Sequence, residues 1–259
     1  VNSMQKNTIL SLNGIAKQFG GLKVIEDITL DIAVGEKVGL IGPNGAGKTT
    51  LFNMIAGDLE PSSGTISYFG ENINKIPNFK RTQSGIVRTF QKNNLMAGLT
   101  VKENLILVLQ RMRKEHKQWW KRANKKNYSE LFNTADQFLA EWGLSEHSKS
   151  LVKDLSYGVQ RQIEIILAVA GEPKLLLLDE PTAGMSQLET DQIIGLINKL
   201  PKDVSIIMIE HDIDVLFGNM DRVVVLHTGR LICDGKPEEV RNDPEVKEIY
   251  MGKEGMVHA

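Results

Sequence analysis

Short apolar runs separated by glycine-containing turns fill the first third of the chain. Residues 9–12, 28–32, 38–41 and 65–69 have strand length and turn residues around them, so each is predicted as a strand. A helix is expected from Lys48 to near Asp58, before Pro61. Residues 86–89 form another candidate strand, followed at once by Gln91. Between 100 and 158 the pattern changes. Val101, Leu105, Val108 and Met112 recur at helical spacing, as do Leu131, Ala135, Phe138 and Leu139, and strand signals stop. After Gly158 the alternation returns, with apolar runs at 175–178, 205–209 and 223–226 and a helical stretch at 190–200. Strands alternating with helices imply an α/β fold with a mostly parallel sheet. His227-Thr228-Gly229-Arg230 joins two apolar runs and reads as a hairpin turn. One domain over 4–252 is predicted: an α/β core of 4–99 and 159–252, and an inserted helical subdomain of 100–158.

Composition narrows the class. A chain of 259 residues, 41% hydrophobic and 24% charged, can build a sizeable core in one or two domains. A net charge of −1 gives no overall basic surface for nucleic acid. The lone Cys233 cannot form an internal disulfide, which fits a reducing cytosol. No apolar run reaches the ~18–20 residues that span a bilayer, and residues 1–10 lack the layout of a secretory signal. The expectation is a protein soluble alone, with any membrane role arising through a partner. One stretch departs from the charge balance: residues 110–127 are strongly basic. They read either as a solvated helix face with Trp119 and Trp120 packed beneath it, or as an electrostatic contact with anionic lipid or an acidic partner.

The candidate chemistry starts at Gly42-Pro43-Asn44-Gly45-Ala46-Gly47-Lys48-Thr49-Thr50. Gly42, Gly47, Lys48 and Thr49 fit the phosphate-binding pattern G-x-x-x-x-G-K-[ST]. Glycines let the backbone curl so that successive N–H groups face phosphate oxygens. Lys48 can reach the β- and γ-phosphates, Thr49 can join a magnesium shell, and the helix N-terminus adds positive potential. The apolar strand before the loop supplies the context the motif needs. A second motif, Leu175 to Glu180, ends a buried run in two carboxylates. Asp179 at a strand end can hold Mg2+, and Glu180 can polarise the attacking water as a general base. Together these imply a P-loop ATPase or GTPase. Asn198-Lys199-Leu200-Pro201 lacks the aspartate of a guanine-reading element, which favours ATP.

With those motifs in place, nearly the whole chain resembles the nucleotide-binding subunit of ATP-binding-cassette (ABC) transporters. Phe19 falls where that family stacks an aromatic on adenine. Gln91, in Arg88-Thr89-Phe90-Gln91, matches the Q-loop glutamine that senses Mg2+ and water. Leu155-Ser156-Tyr157-Gly158-Val159-Gln160 resembles the LSGGQ signature, Asp179-Glu180 matches Walker B, Ala183-Gly184-Met185-Ser186 falls at the D-loop, and His211 matches the switch histidine. Ser156 also precedes a helix-like stretch, 158–170, as a capping residue would. Tyr157 replaces the first signature glycine, Val159 stands where the family prefers glutamine, and Ser186 replaces the D-loop aspartate.

The resemblance implies a mostly parallel ABC core with an N-terminal antiparallel β subdomain. It implies ATP and Mg2+ as ligands, with Lys48, Gln91, Glu180 and His211 catalytic and Thr49, Gln91 and Asp179 around the metal. It implies two ATP sandwiched in a head-to-tail dimer, with Ser156 and Gly158 acting on the nucleotide of a second ATPase subunit, identical or related. Transmembrane permease subunits, and indirectly a substrate-binding protein, are the implied partners. The implied location is the cytoplasmic face of the inner membrane. Tyr157, Arg88-Thr89-Phe90-Gln91, the basic insertion, Ile209-Glu210-His211-Asp212 and the tail Gly235 to Val240 are similar to the branched-chain amino-acid importer branch. ATPases for urea and short amides are close alternatives, and a soluble iron–sulfur assembly ATPase is a further one.

Overall fold

The structure, a computed structural model, describes residues 8–89, 95–112 and 125–254. In chain order the elements begin β1 (Thr8–Phe19), β2 (Leu22–Ala33), β3 (Lys37–Ile41), α1 (Lys48–Ala56), β4 (Ser63–Tyr68), β5 (Glu71–Asn72), α2 (Asn78–Gln83) and β6 (Ile86–Arg88). They continue α3 (Val101–Met112), α4 (Lys125–Glu141), α5 (Tyr157–Ala170), β7 (Leu175–Asp179) and α6 (Gln187–Asn198). The chain closes with β8 (Ser205–Ile209), α7 (Ile213–Asn219), β9 (Arg222–His227), β10 (Arg230–Gly235), α8 (Pro237–Asn242) and α9 (Pro244–Glu254). These elements fall into two compact units, the first built from Val1–Arg88, Lys174–Ala183 and Pro201–Ala259, the second from Thr89–Pro173 and Gly184–Leu200.

The first unit holds two sheets. An antiparallel sheet runs β2-β1-β4-β5, and a six-stranded sheet runs β10-β9-β3-β8-β7-β6. In the latter, β9, β3, β8, β7 and β6 are parallel and β10 turns back antiparallel on β9. The central strands are apolar at almost every position because both faces are covered; β7 and β8 are buried along their whole length. Helix α1 touches β2 of one sheet and β6 and β7 of the other. Its Leu51, Phe52, Met54 and Ile55 share one core with Ile9, Leu10 and Leu12 of β1 and with Leu177, Ile207 and Val224 of the parallel sheet. Strands β1 and β2 extend well beyond the apolar runs at 9–12 and 28–32. Their pairing carries several register shifts, and half-buried, bulged strands lose the strict alternation that marks a strand in sequence.

Helix α1 ends two residues before Asp58 because Gly57 turns left-handed (φ 84°) and its N–H returns to Asn53 O at 3.1 Å. Arg81 of α2, fully buried, secures that end by donating to Met54 O (2.7 Å) and Ile55 O (2.9 Å). Five backbone acceptors surround its guanidinium, yet burial still pushes its pKa down to about 10.

The second unit is helical. Helix α3 packs on α4 and α5, and α5 on α6. Val101, Leu105, Leu131, Ala135 and Leu139, picked out by their spacing, are all buried. Capping boxes start α3 through Thr100 and Glu103 and α6 through Ser186 and Glu189. Most of the basic stretch, 113–124, lies outside the described residues. No helix among the described residues is long and apolar enough to cross a membrane.

Candidate active site

Strand order gathers the motifs of the first unit. In the parallel sheet β8 lies between β3 and β7, with Leu40 and Asp179 both in register with Ile209. The carboxyl ends of the three strands therefore open side by side, where ligands of open α/β sheets collect. The glycine-rich loop leaves β3, Asp179 ends β7 with Glu180 next in the chain, and Glu210 and His211 follow β8.

The loop is held from behind. A Cβ on Gly42 would overlap the Leu226 carbonyl oxygen, and one on Gly47 (φ 105°) would lie 2.6 Å from Ile25 Cδ1. Gly229, in the β9–β10 hairpin turn, donates to Ala46 O at 3.1 Å. With φ of 44° at Thr228 and 80° at Gly229, that turn takes the doubly left-handed form hairpins favour. Ala46 is buried and Pro43 half-buried, while Asn44, Gly45 and Thr49 are exposed and Thr50 is intermediate. Lys48 is only 7% exposed, and its Nζ donates to Gly42 O and, at 3.2 Å, to Pro43 O. Burial pushes its pKa down, while Glu180 and Asp179 pull it back up. A desolvated ammonium under a glycine loop favours an anion.

Asp179 is 1% exposed, and its Oδ2 accepts from Arg88 at 2.7 Å. Arg88, at the end of β6, also donates to Asn53 of α1 at 2.5 Å. The partners of Arg88 lie 35 and 91 residues away in the chain, so only the fold reveals its role.

Glu180 takes φ 48°, a left-handed conformation unusual for a side-chain-bearing residue, and its N–H is tied to Ile209 O at 2.9 Å. This turns its carboxylate out, where Oε1 lies 2.9 Å from Nε2 of His211. Behind the pair, the carboxylate of Glu210 joins the residues after β7 to those after β8.

In the second unit, Ser156 caps α5, its Oγ accepting from Val159 N at 3.4 Å. Ser156 and Tyr157 are exposed at the helix start, whereas Gly158 is buried. A Cβ on Gly158 would collide with the Glu189 carboxylate, so glycine lets α5 approach the capping box of α6. Ser186 is the cap of that box, a local reason for serine at this position. Phe19 ends β1 with 48% of its surface exposed and Lys17 Nζ 5.2 Å from the ring centre. Gln91 lies outside the described residues.

Comparison with known proteins fits this geometry. A family model described as "ABC transporter" matches residues 25–183, and one described as "Branched-chain amino acid ATP-binding cassette transporter" matches residues 230–255. The chain is 36% identical over 256 residues to the "High-affinity branched-chain amino acid transport ATP-binding protein LivG" of Salmonella typhimurium, covering 95% of this chain and 98% of LivG. Among solved structures, the ADP conformation of MJ1267, "an ATP-binding cassette of an ABC transporter", is similar with a TM-score of 0.81 and 29% identity over 95% of this chain and 99% of that one. A dimeric post-hydrolysis state of the ATP-binding cassette MJ0796, bound to ADP and Pi, gives 0.73 and 25% over 88% and 99%.

Proposed function

The chain belongs to the ABC transporter family of ATP-hydrolysing subunits, and on that premise we propose that it is the motor of an importer for branched-chain amino acids. The observation that carries the catalytic reading is the convergence of Lys48, Asp179, Glu180 and His211 at the ends of three adjacent parallel strands. The match of residues 230–255 to the branched-chain family and the likeness to LivG support the substrate class.

In this reading Lys48 and the amides from Gly42 to Thr50 bind the β- and γ-phosphates of ATP, and Phe19 stacks on adenine. Glu180 takes the proton of the attacking water, and His211 holds Glu180 and the γ-phosphate in line. Thr49, Gln91 and Asp179 would hold Mg2+, which supplies charge neutralisation at the phosphates when bound. The described donors fit: Thr49 at the start of α1 offers a hydroxyl and Asp179 at the end of β7 a carboxylate, both hard oxygen ligands. Mg2+ typically binds one or two protein oxygens and completes its shell with phosphates and water.

Ser156 and Gly158 start a helix, a second anion-binding surface. They act on ATP held by a second ATPase subunit, identical or related, in a head-to-tail dimer; the dimeric MJ0796 cassette supports this. ATP closes the dimer, and hydrolysis reopens it. The motion passes through the second unit near Gln91 to permease subunits, placing the chain at the cytoplasmic face of the membrane. Glu180→Gln tests the reading. We expect ATP binding within twofold of wild type and hydrolysis reduced by about 10²-fold or more, the usual weight of a general base. Near-normal hydrolysis in that variant refutes the assignment.

A further inference from the structure

Glu210 is charged, 4% exposed and without a part in the mechanism above. It follows four buried apolar residues of β8, where a carboxylate is costly unless its oxygens are satisfied. Both are. Oε1 accepts from the Thr182 N–H at 2.8 Å and from the Thr182 hydroxyl at 2.7 Å, and Oε2 accepts from the His211 N–H at 3.2 Å. Thr182 lies two residues after Glu180, and His211 is the residue that meets Glu180 at 2.9 Å. One buried carboxylate thus spans the two chain segments whose side chains form the base–histidine pair. Surface pairs such as Glu180–His211, with the histidine 52% exposed, hold their own geometry weakly. The buried bridge behind them is the stronger restraint.

We propose that Glu210 is a positioning residue for hydrolysis, locking the segment that carries Glu180 to the segment that carries His211 through Thr182. It touches no reacting atom. Its effect is on the alignment of the pair, and so on turnover more than on ATP binding, which belongs to the loop after β3. The proposal rests on the roles given above to Glu180 and His211.

Glu210→Gln keeps the shape but sets an NH2 donor against either the Thr182 donors or the His211 N–H, so a donor–donor clash strains one side of the bridge. Thr182→Val removes only the hydroxyl, and Thr182→Ser keeps both donors. Steady-state hydrolysis and direct ATP binding are measured on the full chain, with a melting curve for each variant. Misalignment of catalytic groups is expected to lower kcat about tenfold in Glu210→Gln and Thr182→Val, with ATP affinity within twofold of wild type. Thr182→Ser should recover at least half of kcat. The double variant should fall no more than about twofold below the worse single variant, because both changes cut one bridge. Three outcomes overturn the proposal: Glu210→Gln keeping kcat within twofold, kcat and ATP affinity falling together, or independent losses that multiply in the double variant. If Glu210→Gln does not fold, the valine–serine pair at Thr182 decides alone. Glu180→Gln, run alongside, separates the two claims. Its retention of hydrolysis defeats the base assignment, whereas its collapse beside an unaffected Glu210→Gln defeats only the bridge.

Discussion

The two units prepare for ATP in different ways. In the first, the functional groups stand at the ends of buried parallel strands, and most already have a partner inside the unit: Lys48 on loop carbonyls, Asp179 on Arg88, Glu180 beside His211. In the second, Ser156 stands exposed at a helix start with a single long cap bond, and Gly158 beside it is buried against Glu189. One surface is a set of buried, paired polar groups, the other an exposed helix start. A pocket built of buried polar groups fails when one partner is removed, because the other is left desolvated. A helix end on the surface tolerates local change and matters when something is brought to it.

That contrast can be broken first at Arg88. Arg88→Met leaves Asp179 buried beside an apolar side chain, and losing one partner of a buried ion pair costs about 3–5 kcal/mol. Denaturant unfolding should show a loss of that size, and a change under about 1 kcal/mol, the scale of an exposed pair, would show that the pocket is not held by this pair. Next is Lys48→Ala. Loss of a charge-assisted contact is worth about 2–3 kcal/mol, roughly 100-fold in ATP affinity, read by calorimetric titration. Ser156→Ala comes lower, removing a helix cap worth about 0.5–1 kcal/mol in thermal unfolding. A larger loss there would place Ser156 among the buried supports of its unit and blur the distinction.

The smallest effect is a pH dependence. Burial raises the pKa of Glu210 above its ordinary 4.5, although the bonds from Thr182 and His211 oppose this and Glu180 adds to it. The native state therefore keeps this proton to higher pH than the unfolded chain does. Its stabilising contribution is full below 4.5 and is lost as pH rises through the raised native value. The amide of the Glu210→Gln variant does not titrate, so the melting temperature of wild type relative to that variant should fall as pH rises from about 4 through that window. A flat difference contradicts it.

What the sequence makes legible divides instead by the range of the contacts involved. The apolar runs of β3, β7, β8 and β9, the phosphate loop, the hairpin turn at 227–230 and the start of α5 were readable, because each depends on neighbours in sequence. The reach of β1 and β2 was not, since bulges break their alternation. Helices α7 and α8, at seven and six residues, carry too few turns for a period. In sequence, Arg88 and Glu210 are only members of the short motifs around Gln91 and His211. Their meaning comes from contacts 91 and 28 residues away, fixed by the order of strands in the sheet.

We propose that this chain holds ATP with its first unit and completes another subunit's site with its second. The most direct measurement sets Ser156→Arg beside Lys48→Ala, comparing ATP affinity of the isolated chain with turnover of the assembled ATPase. Ser156→Arg is expected to bind ATP within twofold of wild type yet lose turnover about tenfold or more, because a long side chain at this exposed helix start keeps the groups of the two subunits out of alignment, while Lys48→Ala is expected to lose both. Ser156→Arg losing ATP affinity in step with Lys48→Ala, or keeping full turnover, would contradict it.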